Sequence, residues 1–179
     1  MPPARSAARC LVLLLALAAP HIAYAKTPTI EQLNALVERG ELDQAGQQAD
    51  AYVKAHPKDP RGRFLQGVVL ARQNRVDEAI AVYTGLVQDY PELPEPYNNL
   101  AALYAGQGRY ELARDALERA VRAQPSYATA HENLGDIYAR LAAQSYARAL
   151  QLDAGRTSAQ RKLKTVNELV PPAAPAGKP

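Results

Sequence analysis

The chain has 179 residues, with 21 Lys and Arg against 18 Asp and Glu, a net charge of +3, and one cysteine, Cys10. Arg5 and Arg9 precede the apolar run Leu11 to Ala19 and the small residues around Tyr24, so residues 1–25 read as a cleaved signal peptide and the mature chain as starting at Lys26. The remaining 154 residues hold 19 basic and 18 acidic side chains and no thiol, which excludes a strongly basic nucleic-acid or membrane surface and a disulfide framework, and fits one domain.

The apolar run is shorter than the roughly 20 residues a spanning helix needs, and Arg9 stands before Cys10 where a lipoprotein has a small residue. Neither an anchor nor lipidation is expected, and such a leader with no thiol after it points to an oxidising periplasm. Thr29 and Gln32 form the reciprocal cap that starts the first helix. From there apolar residues recur at spacings of three and four, in two stripes per unit separated by Gly40-Glu41, Asn74-Arg75 and Gly108-Arg109. Pro57, Pro91 and Pro125 close each second helix, because proline disfavours helical backbone in the residue before it, here His56, Tyr90 and Gln124.

These landmarks repeat every 34 residues. Leu33, Gly67, Ala101 and Gly135 keep the step, as do Leu36, Leu70, Tyr104 and Tyr138, and so do Ala45, Ala79 and Ala113. A fourth unit opens in register with His131, Leu134, Gly135 and Tyr138, but the segment Tyr146 to Asp153, which resembles the end of a second helix, arrives five residues early, and no turn glycine follows Leu141. The stripe Leu134, Tyr138, Leu141, Ser145, Ala149 and Leu152 predicts one continuous helix from Ala128 to about Asp153, roughly 39 Å long at 1.5 Å per residue. A tight turn near Ala142-Ala143-Gln144 is the alternative. A last helix from Thr157 or Ser158 to Leu169 is expected to turn Leu163, Val166, Leu169 and Val170 inward and Arg161, Lys162 and Lys164 to water. Residues 171–179, rich in Pro and Ala and without a stripe, are expected to be a disordered tail.

Tyr97, Leu100, Ala101, Tyr104, Gly108, Tyr110, Ala113, Leu117, Ala120 and Pro125 together resemble the signature of the tetratricopeptide repeat. Residues 94–127 carry it best, 60–93 well, and 26–59 weakly in the first helix; 128–155 is a truncated copy and 157–170 a capping helix. The resemblance implies an all-α, right-handed superhelical solenoid of antiparallel helix pairs whose first helices line a concave groove. Groove positions so implied are Arg61, Phe64, Val68, Ala71 and Arg72 in the second unit, Asn98, Ala102, Ala105 and Gly106 in the third, and Thr129, Glu132, Asp136 and Arg140 in the fourth. Asn98 and Asn99 are the amides expected to meet a ligand backbone, and Phe64, the only phenylalanine, is expected to be informative about binding if exposed. Leu86 stands where the next unit has Ala120, a contact that would be overpacked at about 1 to 3 kcal/mol if the site required a small residue.

After the leader only His56 and His131 remain as imidazoles, and no glycine-rich phosphate cradle follows a strand, so no catalytic residues, metal ligands or cofactor are expected. His56 reads as solvated and His131 as packing. Exposed charges such as Glu111 with Arg114 and Asp115 with Arg119 read as a solvated helix face. The function implied is an adaptor that holds another exported protein, or a peptide or helix of one, with no nucleic-acid partner and no membrane insertion once the leader is removed. A structural subunit of an envelope secretion, pilus or cell-wall assembly, bound through the convex face, is the competing class. The chaperone-tail clamp is argued against: Asn99 matches its asparagine, but Thr129 and Asn133 stand where its basic residues would be.

Overall fold

A computed structural model describes residues 27–170, so the expected leader and proline-rich tail lie outside the described residues. Eight helices make up this span, with no strand among the described residues: α1 (Ile30–Glu38), α2 (Leu42–Ala55), α3 (Pro60–Arg72), α4 (Val76–Asp89), α5 (Pro94–Gly106), α6 (Tyr110–Ala123), α7 (Ala128–Leu152) and α8 (Thr157–Leu169). At the start of α1 the Gln32 amide donates to Thr29 Oγ1 at 3.3 Å and the Thr29 amide to Gln32 Oε1 at 2.9 Å, the expected reciprocal cap. Asp59 caps α3 by accepting from the Arg61 amide at 3.0 Å. Pro60 and Pro94 open α3 and α5, where a missing N–H leaves nothing unpaired.

Two kinds of turn repeat. Within each of the first three units the chain reverses through one left-handed residue, Gly40, Asn74 or Gly108, with φ of 74°, 61° and 72°. The next amide, of Glu41, Arg75 or Arg109, then reaches back to the carbonyl of Leu36, Leu70 or Tyr104 at 3.0, 2.9 and 2.9 Å, which satisfies a helix-end carbonyl. Between units, His56, Tyr90 and Gln124 leave the helix before a proline, and their carbonyls accept from the amides of Asp59, Leu93 and Tyr127 at 3.0, 3.2 and 3.0 Å.

Helix pairs stack through residues matched in size. Ala45, Ala79 and Ala113, one per second helix, are all fully buried. Gly67 lies against the buried Tyr83 so closely that a Cβ there would stand 2.6 Å from the ring, and Gly62 lies against Tyr52 in the same way. Tyr52, Leu86 and Ala120 share one 34-residue column, and all three are buried. Leu86, 0% exposed, lies inside the main core cluster with Tyr97 and Leu100. A column that admits Tyr, Leu and Ala in turn is one whose neighbours adjust, as Gly62 does under Tyr52.

The single helix expected over the fourth unit is present, 25 residues and about 38 Å long. Ala142, where the period places the left-handed residue, lies within it. After Leu152 the between-unit turn recurs: Asp153 is extended, with φ of −147°, and its carbonyl accepts from the Arg156 amide at 3.2 Å. Asp153 follows Gln124 by 29 residues instead of 34. α8 then packs on the second half of α7 through buried Ala159 and half-buried Leu163 and Val166. Leu169, expected to face inward, is 74% exposed, because no later helix among the described residues covers that end of α8. His131 is likewise exposed rather than packed; its Nε2 lies 2.9 Å from the Pro125 carbonyl. Arg114 pairs with Asp115 at 2.6 Å and Glu118 at 3.8 Å rather than with Glu111, and Arg122 joins Glu118.

Candidate peptide groove

First helices α1, α3, α5 and the start of α7 stand side by side, and their outward faces form a trough with two recesses. The larger, about 390 Å³, is lined by Ile30 and Asn34 from α1, Pro60, Arg61, Phe64 and Leu65 from α3, and Leu93, Glu95 and Pro96 at the start of α5. Its lining is mostly apolar carbon, with Arg61, Asn34 and Glu95 supplying the polar atoms. The smaller, about 180 Å³, lies between α5 and α7 over Ala101, Ala102 and Ala105, with Asn133, Asp136 and Arg140 on its α7 side.

Arg61 is placed by Asp59, whose carboxylate accepts from the guanidinium at 2.7 to 3.1 Å and from the Tyr52 hydroxyl at 2.6 Å. These donors, the Arg61 guanidinium first, hold the Asp59 carboxyl well below the usual carboxylate range, and the Arg61 guanidinium is raised in turn. Phe64 is half-buried, its ring 5.9 Å from that of Tyr83, and it forms part of the recess wall rather than a free patch. Arg140 lies with its guanidinium 5.7 Å from the Tyr110 ring centroid.

Of the groove residues read from the sequence, Arg61 and Phe64 meet in the larger recess, and Ala102, Asp136 and Arg140 in the smaller. Gly106 is exposed at the end of α5, and Glu132 is exposed on α7 outside both recesses. Four others are occupied with the fold. Val68 packs against Leu36, Val37, Ala45 and Val69 of the first two units. Arg72 donates to the Val37 carbonyl at 2.6 Å and so ties the second unit to the first. Asn99, half-buried, donates to the Tyr83 hydroxyl at 3.0 Å, and burial pushes that hydroxyl up to about 12. Asn98 accepts from Asn133 at 2.7 Å, which joins the third and fourth units and leaves the donor end of Asn98 for a ligand.

Ile30, Asn34 and Glu95 are lining residues that the reading of the sequence missed. The period could have supplied them, since Ile30 is one step before Phe64, Asn34 one before Val68, and Glu95 one after Arg61. Among the described residues no three His, Cys, Asp or Glu side chains gather as metal ligands, and no helix is long and apolar enough to cross a membrane.

Two family profiles described as tetratricopeptide repeat match this chain, over residues 30–94 and 70–137. A TPR repeat-containing thioredoxin, TTL4, of Arabidopsis thaliana is 36% identical over 103 residues, 58% of this chain and only 15% of that protein's length. Among solved structures, the first TPR domain of human RPAP3 superposes with a TM-score of 0.60 at 20% identity, over 65% of this chain and 91% of that one. The first TPR of Spaghetti (RPAP3) bound to the HSP90 peptide SRMEEVD does so with a TM-score of 0.58 at 20% identity, over 63% and 89%.

Proposed function

Because the chain belongs to the tetratricopeptide repeat family, we propose that it is a periplasmic adaptor whose concave groove holds an extended segment of another exported protein. A protein-interaction scaffold, typically non-catalytic, is the coarse role of this fold. The observation that carries the finer reading is the pair of recesses along the first helices, an apolar one around Phe64 and one floored by Ala102 and Ala105. A recess of that size takes an apolar side chain, and a floor of small residues lets a peptide backbone approach. Asn34 and the donor end of Asn98 sit where backbone amides and carbonyls of such a strand would pass. The peptide-bound RPAP3 domain supports a peptide as ligand class, and the leader-like residues 1–25 support the periplasm.

Immobilised chain incubated with periplasmic extract, followed by mass spectrometry of what is retained, yields candidate partners. Peptides tiling a retained protein are then titrated by fluorescence anisotropy against wild type, Phe64→Asp and Ala102→Arg. Both variants are expected to bind at least about tenfold more weakly, the loss of one well-placed contact. Equal affinity for all three removes the groove as the binding site. Recovery of the native chain with cytoplasmic markers after osmotic shock refutes the location.

A further inference from the structure

A second surface, outside the groove, carries its own signal. In the third unit Tyr97, Leu100 and Ala101 share a buried cluster with Ala113, Ala116 and Leu117 of α6 and are 6%, 5% and 2% exposed. One step later the same columns hold His131, Leu134 and Gly135, of which only Leu134 is even half-buried, and Tyr138 is 48% exposed. A Cβ built on Gly135 meets nothing within 4 Å, whereas one on Gly67 in the same column meets the Tyr83 ring at 2.6 Å. The other side of this helix, through Ala130 and Ile137, is buried as usual. So the first half of α7 is a complete first helix that lacks its second.

The second half of α7 is the converse. It ends in the same turn as α2, α4 and α6, and α8 docks on it through Ala159, which stands 29 residues after Ala130, buried in the same way. With that offset Ala142, Tyr146 and Ala149 correspond to Ala113, Leu117 and Ala120 of α6, which are 0%, 1% and 0% exposed; on α7 all three are only half-buried. Arg140 corresponds to Gly106 at a step of 34 and Leu141 to Leu112 at a step of 29, so the five residues missing between them match Gln107 to Glu111, the left-handed turn at Gly108 included. Without that turn, the second half of α7 cannot fold back on the first half of its own chain.

We infer that two copies of this chain pair through α7, antiparallel about a two-fold axis near Arg140, each supplying the second helix that the other's fourth unit lacks. The open face suits a helix partner: His131, Tyr138, Ser145 and Leu152 recur every seven residues, with Gly135, Ala142 and Ala149 between them small enough for close approach. A second copy is the occupant this face fits, because its α7 carries the columns that close the unit in α5 and α6. The contact is isologous and stops at two chains.

Light scattering of the full chain, as its expressing cell processes it, is expected to give twice the single-chain mass at about 100 μM. Inserting Gln-Gly-Arg-Tyr-Glu between Arg140 and Leu141 restores the turn and is expected to give a single-chain mass with undiminished helical circular dichroism. Gly135→Arg, whose side chain enters open space in one chain but the contact in a pair, is expected to weaken dimerisation at least tenfold with undiminished helical circular dichroism. Wild type running as one chain at that concentration overturns the pairing and hands the face to a helix of another protein. A mass above two chains, or an insertion variant that dimerises as tightly as wild type, overturns it equally.

Discussion

Units two and three and the fourth unit carry similar residues in their columns, yet α3 to α6 close into pairs and α7 remains one open rod. Gly67 and Gly135 mark the contrast, one under the Tyr83 ring and one in open space. The difference lies in connection rather than composition. A left-handed residue costs little at Gly108 and redirects the chain; where that turn is missing, a run with no helix breaker from Ala139 to Asp153 simply continues. A helical face is buried by what the chain can bring to it, so one deleted turn exposes a surface without altering a residue on it.

Substitutions in matched positions test this contrast. The largest effect is expected at Leu86, fully buried in the main cluster: Leu86→Ala should lose about 2 to 5 kcal/mol by chemical denaturation, while Leu152→Ala, at 73% exposure, should stay within about 0.5 kcal/mol in the single chain. Gly67→Ala should cost about 1 to 3 kcal/mol despite alanine's better helix propensity, because its Cβ meets the Tyr83 ring.

Asp59→Ala removes a helix cap and the Tyr52 hydroxyl's acceptor and should cost about 1 to 2 kcal/mol at neutral pH. Asp59's folded-state pKa is depressed, chiefly by Arg61, so its contribution is present above the unfolded carboxylate value near about 4 and is lost as pH falls below it. The melting-temperature gap between wild type and Asp59→Ala should therefore narrow in acid; a gap that widens would contradict the assigned bonds. The smallest effect sharpens the contrast most: Gly135→Ala, in the same column as Gly67, should stabilise by about 0.5 to 1 kcal/mol in thermal melts run dilute enough to keep the chain single. Loss of stability there would mean that something already lies against Gly135 in the single chain.

Much of this was legible in the sequence. The 34-residue step locates every turn of the first three units, since Gly40, Asn74 and Gly108 announce left-handed backbone and the prolines announce helix ends. The missing turn and the unbroken stripe give the long helix of the fourth unit. Hydrogen-bond partners across helices were not legible, because a small rotation of one helix decides whether Asn99 reaches a ligand or the Tyr83 hydroxyl, and whether Arg72 reaches solvent or the Val37 carbonyl. The fit of Leu86 is illegible for a related reason: a residue's size is visible in its own column, but the space its neighbours leave is not. Their columns imply packing for His131 and Leu169, but the fold leaves both exposed.

Two hydrogen bonds stitch successive layers across the trough, Arg72 to the Val37 carbonyl and Asn133 to Asn98. Their consequence is elastic. A stack whose layers rest only on their neighbours yields first by small rotations between layers, so its compliance lies in the contacts between layers rather than in the helices. Stitches of this kind add to its stiffness, and a chain lacking both would flex more easily between layers.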